Sequence, residues 1–167
     1  MLQLIAEDFA TYERRLTEPG LWAVVVHRLG AGARRLENPL ARSLAGGCQR
    51  ALAQGVDWVW GIRFGESTEL GRRVRIWHSG CMQLDARSIG DDVHIRHDTT
   101  LGGVRARESG PEHWPTIEAR VDLSVGVSVL GPVRVGHDSF VAANSLVLKS
   151  VAPNSTVLGV PARVVPL

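Results

Sequence analysis

Two imidazoles in this chain fall at related places. His78 is the third residue of a stretch that begins at Ile76, and His97 is the third of a stretch that begins at Ile95. Histidine suits the removal of a hydroxyl proton, because an ordinary imidazole titrates at about 6.5 and a positioned base speeds such a step roughly 100- to 10,000-fold. Just beyond His97, the pair Gly102-Gly103 offers backbone N–H groups with no side chain in the way. Such a turn suits an oxyanion or a thioester carbonyl. A base and oxyanion donors are two requirements of acyl transfer to a hydroxyl. The two cysteines, Cys48 and Cys81, match no metal or disulfide spacing, which suits a reducing cytoplasm.

What positions these groups is a beat of six. Aliphatic residues fall at Leu70, Ile76 and Met82, resume after one slipped residue at Ile89, Ile95 and Leu101, and continue from Ile117 through Leu123, Val129, Val135 and Val141 to Val147. Small or β-branched residues follow four places later, as at Val74, Val93, Thr99 and Val127. A period of six fits neither a helix nor a half-buried strand. It fits a parallel β-helix, in which each hexad forms one side of a prism and three sides complete a coil. His97 is then one coil above His78 on the same face, at a strand spacing of roughly 4.8 Å. The alternative is two ordinary surface positions on a prism face.

The first sixty residues keep a different rhythm. Leu2, Ile5, Phe9, Tyr12 and Leu16 form one helical stripe, stopped by Thr17-Glu18-Pro19-Gly20. Trp22, Val25, Val26, Leu29, Ala33 and Leu36 form a second. Asn38-Pro39 caps a third helix, with Leu40, Leu44, Cys48, Ala51 and Leu52 on its apolar side. The expected organisation is a helical region over 1–61, capping a solenoid over 62–167 from which a loop, 102–116, protrudes. Long loops on rigid scaffolds are usually functional.

Hydrophobic residues make up 44% of the 167 residues, enough for a continuous core, and the net charge of +2 argues against a nucleic-acid binder. No secretory leader is visible, and the longest apolar run, Leu21 to Val26, is too short to span a bilayer. Seven arginines and three tryptophans in the helical region, among them Trp22, Trp58 and Trp60, allow a weak association with an anionic membrane surface.

An ordered set of motifs resembles the hexapeptide-repeat acyltransferases, and within them the serine acetyltransferase branch. Its carriers are Ile76-Trp77-His78-Ser79-Gly80, Gly90-Asp91-Asp92-Val93, Thr100-Leu101-Gly102-Gly103, His113-Trp114-Pro115, and the ending from Ala143-Asn144-Ser145 to Gly159-Val160-Pro161-Ala162-Arg163. The short helical region looks more like the colanic-acid type of polysaccharide O-acetyltransferase. The resemblance implies a left-handed β-helix, whereas the crossover rule for parallel strands favours the right hand. It implies acetyl-CoA as donor, without a metal, and a homotrimer whose sites lie between subunits. It places His78 as catalytic base and His113 as the second family histidine. Ala142 and Ala143 would face the pantetheine arm, and Lys149 and Arg163 the phosphates of coenzyme A.

Three departures bear on the acceptor. Trp77, Glu112 and Arg63 stand where serine acetyltransferases have an aspartate before the base, an arginine before the second histidine, and an aspartate that orients the base. The cation for a serine carboxylate and the anion for its ammonium are thus missing or reversed. The expected acceptor is a sugar or another non-serine hydroxyl compound, with serine itself as the alternative. Glu66, Glu69 or Asp98 could replace the orienting carboxylate. Two less favoured readings are a zinc carbonic anhydrase recruiting His78, His97 and His113 across a trimer, and a non-catalytic scaffold.

Overall fold

Three helices precede fifteen short strands in the computed structural model, which describes residues 1–105 and 110–165. Helix α1 (Leu2–Thr11) ends where Glu13 and Arg14 turn left-handed, so Tyr12 and Leu16 of the first stripe lie beyond it. Pro19-Gly20 opens a helix rather than only closing one. In α2 (Pro19–Ala33) the proline sits in the first turn, where its missing N–H would have had no helical partner. Helix α3 (Pro39–Trp60) begins under Asn38, whose side-chain oxygen accepts from the N–H groups of Leu40 and Ala41 at 2.9 and 3.1 Å. It ends at Gly61, in the left-handed conformation.

The apolar stripe of α3 faces the other way from expectation. Leu40 is 70% and Leu44 64% exposed, and Cys48, Ala51 and Leu52 are also outward. The opposite side packs inward, with Val56 buried and Ala53 and Trp60 half-buried against the core. Gly30 of α2 draws that side in: a Cβ there would lie 2.7 Å from the Gln49 amide carbon. Periodicity shows that a helix has an apolar side; the neighbour's shape decides which side is covered.

The strands form three flat walls. The first wall stacks β1 (Ile62–Phe64), β4 (Met82–Leu84), β7 (Thr100–Gly102), β10 (Ser128–Leu130) and β13 (Leu146–Val147). The second stacks β2 (Glu69–Leu70), β5 (Ser88–Ile89), β8 (Thr116–Ile117) and β11 (Arg134–Val135). The third stacks β3 (Arg75–Trp77), β6 (His94–Arg96), β9 (Asp122–Leu123), β12 (Phe140–Val141), β14 (Thr156–Leu158) and β15 (Arg163–Val165). All neighbours are parallel except β15, which turns back against β14. The chain runs third wall, first wall, second wall in each coil, about five coils of a left-handed β-helix. Inward columns such as Ile76–Ile95–Leu123 and Leu101–Val129–Val147 are fully buried. Asp92, Asp98, Asp138, Asn144 and Asn154 take left-handed backbone angles at the corners, a conformation that Asp and Asn adopt more readily than most residues.

The slip in the beat lies elsewhere than the sequence suggested. Leu84, not Met82, pairs with Leu101 and continues the column of the first wall. The corner between Ile76 and Leu84 is therefore longer than its counterpart between Ile95 and Leu101, and the corner between Leu84 and Ile89 is shorter. The lengthened corner carries His78.

The helices close the lower end of the coil by supplying hydrogen bonds to its open edge. Arg28 donates to the carbonyls of Leu70 and Gly71 at 3.3 and 2.7 Å, His27 to that of Thr68 at 2.8 Å, and Ile76 N–H donates to the Tyr12 hydroxyl at 2.7 Å. Asp8 holds Arg28 in place through a doubly bonded pair in which both residues are buried. An edge left without such partners would keep unpaired polar groups.

Candidate functional site

His78 sits on the edge where the third wall turns into the first. Its φ of 67° is left-handed, and the side chain is exposed. At neighbouring corners the left-handed residue is Asp98, Asp138 or Asn144, one place later relative to the wall. Left-handed backbone recurs at other non-glycine corners of the coil, so what sets His78 apart is its offset rather than its φ. The stacking expected from the hexads is present: the rings of His78 and His97 lie edge to face. His97 Nδ1 is buried, with no hydrogen-bond partner among the described residues.

Further residues climb the same edge. Ala142 and Ala143 follow β12 at the corner above Ser124-Val125, and Arg163 pairs with Leu158 at the top. Three coil steps, about 14 Å, separate the level of His78 from that of Ala143. Ala143 and Arg163 are exposed and Ala142 half-exposed, which leaves a side-chain-poor track leading to a cation.

The remaining candidates lie on the other edge of the first wall. Gly102 ends β7, and Gly103 starts the loop, whose described part returns through a short 3-10 turn over Pro111–His113. Arg107, which with Arg105 could stand in for the arginine missing before His113, lies outside the described residues. Trp114 folds down to the lowest coil, where a Cβ on Gly65 would meet it at 3.1 Å and Asp85 at 2.9 Å. His113 Nε2 stands 3.6 Å from Glu112 Oε1, and both are well exposed. Lys149, also exposed, occupies this edge in the last coil. One chain therefore does not bring His78 and His113 together; the width of the first wall lies between them.

Arg63 projects from that wall, in register with Gln83 and next above it Thr100. Asp57 accepts from its Nε and Nη2 at 3.0 and 2.8 Å. Trp77 lies on the flat outer face of the third wall with the Arg75 guanidinium 3.9 Å above its ring, and its buried Nε1 has no partner among the described residues. Of the three carboxylates considered for orienting His78, Glu66 precedes the second wall and Glu69 lies on it. Asp98 is on the base's own edge, its Oδ1 3.1 Å from where a Gly80 Cβ would be. Asp57 and Asp85 were missed by the sequence reading. The seating of α3 on the lowest coil brings Asp57 there and the stacking of coils brings Asp85, which, like Asp98, falls at a corner between hexads. Among the described residues of one chain, no three His, Cys, Asp or Glu side chains converge.

No family model matches the chain. It is 39% identical over 148 residues to the serine acetyltransferase of Mycobacterium tuberculosis, covering 88% of this chain and 61% of that protein. It is 34% identical over 167 residues to the serine acetyltransferase of Helicobacter pylori strain J99, covering 98% of this chain and 92% of that one. In three dimensions it superposes on the serine acetyltransferase of Neisseria gonorrhoeae with a TM-score of 0.81 at 25% identity, spanning 98% of this chain and 66% of the other. The Brucella abortus serine acetyltransferase in complex with coenzyme A gives 0.78 at 27%, with the same coverage. The chain thus spans under two thirds of some relatives and nearly all of another.

Proposed function

Because this chain belongs to the serine acetyltransferase family, we propose that it transfers an acetyl group from acetyl-CoA to the hydroxyl of serine. The observation that carries the reading is the end-to-end match to a serine acetyltransferase of nearly the same span, joined to a base on a lengthened corner. That the match spans 98% of this chain and 92% of a protein of that name supports serine over a polysaccharide acceptor.

In the proposed reaction His78 takes the hydroxyl proton as the oxygen attacks the thioester carbonyl. Backbone N–H groups at Gly102-Gly103 of the partner subunit stabilise the oxyanion, since in one chain the first wall separates them from His78. When the C–S bond breaks, the same imidazole returns the proton to the departing thiolate, so proton and charge balance. Ala142 and Ala143 let the pantetheine arm lie along the edge, and Arg163 of the same chain, with Lys149 of the partner subunit, meets its phosphates. Arg63 and Asp57, a cation and an anion side by side, supply the charges for an amino-acid acceptor that Glu112 and Trp77 do not. Their strand adjoins the His78 corner, where Gly80 N–H donates to Trp60 O and Met82 N–H to Gly61 O.

A homotrimer completes the site, since His78 and the His113 loop occupy different edges of one prism. The exposed Leu40, Leu44 and Trp58 of α3 are compatible with weak surface association with an anionic membrane. The outward charge of Glu112 favours a second reading, an uncharged sugar hydroxyl as acceptor. Thiol release from acetyl-CoA, measured with serine and with a panel of sugars and nucleotide sugars, separates the two. Serine turnover that falls on Arg63→Gln supports the first; sugar turnover without serine turnover replaces it with the second.

A further inference from the structure

The seam between the helices and the lowest coil holds a cleft of about 270 Å³. Its inner wall is apolar: Val26, Ala53 and Val56 line it, and the rings of His27 and Phe64 lie side by side there, 4.8 Å apart and 34° from parallel. His27 is only 6% exposed. Its Nε2–H donates to the Thr68 carbonyl, so Nδ1 carries a lone pair, and no protein donor meets it among the described residues. Burial keeps the ring neutral. Arg34 and Arg50 stand in the mouth, and neither is in an ion pair among the described residues. A shallower depression beside it shares both and adds Arg42. Glu66 on the rim opposes them with a single charge, and Arg63 is neutralised by Asp57, so the mouth stays net positive.

We propose that this cleft binds a small planar organic carboxylate bearing a hydroxyl or N–H at the end remote from its charge. The carboxylate lies between Arg34 and Arg50, which offer fork-shaped donors. The ring lies against Phe64, and the far donor reaches His27 Nδ1. An apolar pocket with a few convergent polar groups is the usual form of a small-molecule site. Arg63 and Asp57 also line the cleft, which therefore adjoins the acceptor side of the proposed site, but the inference rests on Arg34, Arg50, Phe64 and His27 and stands whether or not the chain transfers acetyl groups.

Calorimetric titration of the full chain with 4-hydroxybenzoate tests it. Saturable binding of one molecule per chain is expected, weakened about tenfold by Arg34→Ala or Arg50→Ala. Ala53→Trp, which fills the cleft, should abolish it while leaving the helical circular dichroism and the melting temperature unchanged. Benzoate, lacking the far donor, and phenol, lacking the charge, should each bind more weakly. The proposal is overturned by three results: no saturable binding, binding indifferent to both arginine variants, or inorganic phosphate binding as well as 4-hydroxybenzoate.

Discussion

The imidazoles of His78 and His97 meet edge to face, with ring centroids 5.6 Å apart and planes at 79°. One coil of the solenoid separates them in sequence, and strand register alone brings them together. If His78 is the base, His78→Ala should lower acetyl transfer about 100- to 10,000-fold, with coenzyme A binding and melting temperature unchanged. His97→Ala should slow turnover by about tenfold through kcat, with KM for acetyl-CoA unchanged, as expected of a group that positions the base. Retention of more than about a tenth of wild-type turnover in the His78 variant would assign the base to His97 or His113.

A site shared between subunits predicts complementation. His78→Ala and His113→Ala chains, each inactive alone, should regain measurable activity when refolded together and isolated as mixed assemblies. A strictly monomeric mass at micromolar concentration, or mixed assemblies without activity, would sink the shared site.

His27 predicts an acid-sensitive fold. Burial, opposed by the bond to Thr68, pulls its pKa down to about 4, against about 6.5 in an unfolded chain. The unfolded chain therefore binds the extra proton between those values. The stability is complete above pH about 6.5 and declines as the pH falls toward about 4, by roughly 3 kcal/mol at most. Urea unfolding at both ends of this window should show a smaller loss for His27→Gln than for the wild type.

The buried Asp8–Arg28 pair ties the helical layer to the lowest coil. Burial pushes the Asp8 carboxyl up and Arg28 draws it back. Asp8→Ala leaves a buried guanidinium without its counter-charge and should cost about 3–5 kcal/mol. Asp8→Asn, which can still accept from Arg28, should cost less. Equal melting temperatures for all three proteins would show the pair to be dispensable.

The coil was legible in the sequence because its signal is repeated: one aliphatic residue per hexad, in the same column at every level. The His78–His97 relation followed from that repetition. Two features were not legible, each because it depends on a single event. The extra residues at the His78 corner and the shortening at the next nearly cancel in sequence, so they read as one slip past Met82. The outward turn of Leu40 and Leu44 depends on how α2 seats against α3 at Gly30, which no periodicity within α3 records. The charges beside the site follow the same rule. Arg63 was found by comparison with a motif, whereas Asp57, which holds it, comes from the last turn of a helix.

Stacking of identical levels has no internal stop, and an uncovered level is a template for the next strand of any chain. Here Arg28, His27 and Tyr12 occupy the polar groups that such a strand would need, and β15 reverses direction at the other end. The helical layer is thus a safeguard against end-to-end polymerisation as well as a support for the His78 corner. Cut away by proteolysis after Gly61, the remaining prism would present a bare lower rim, and its natural fate would be fibres.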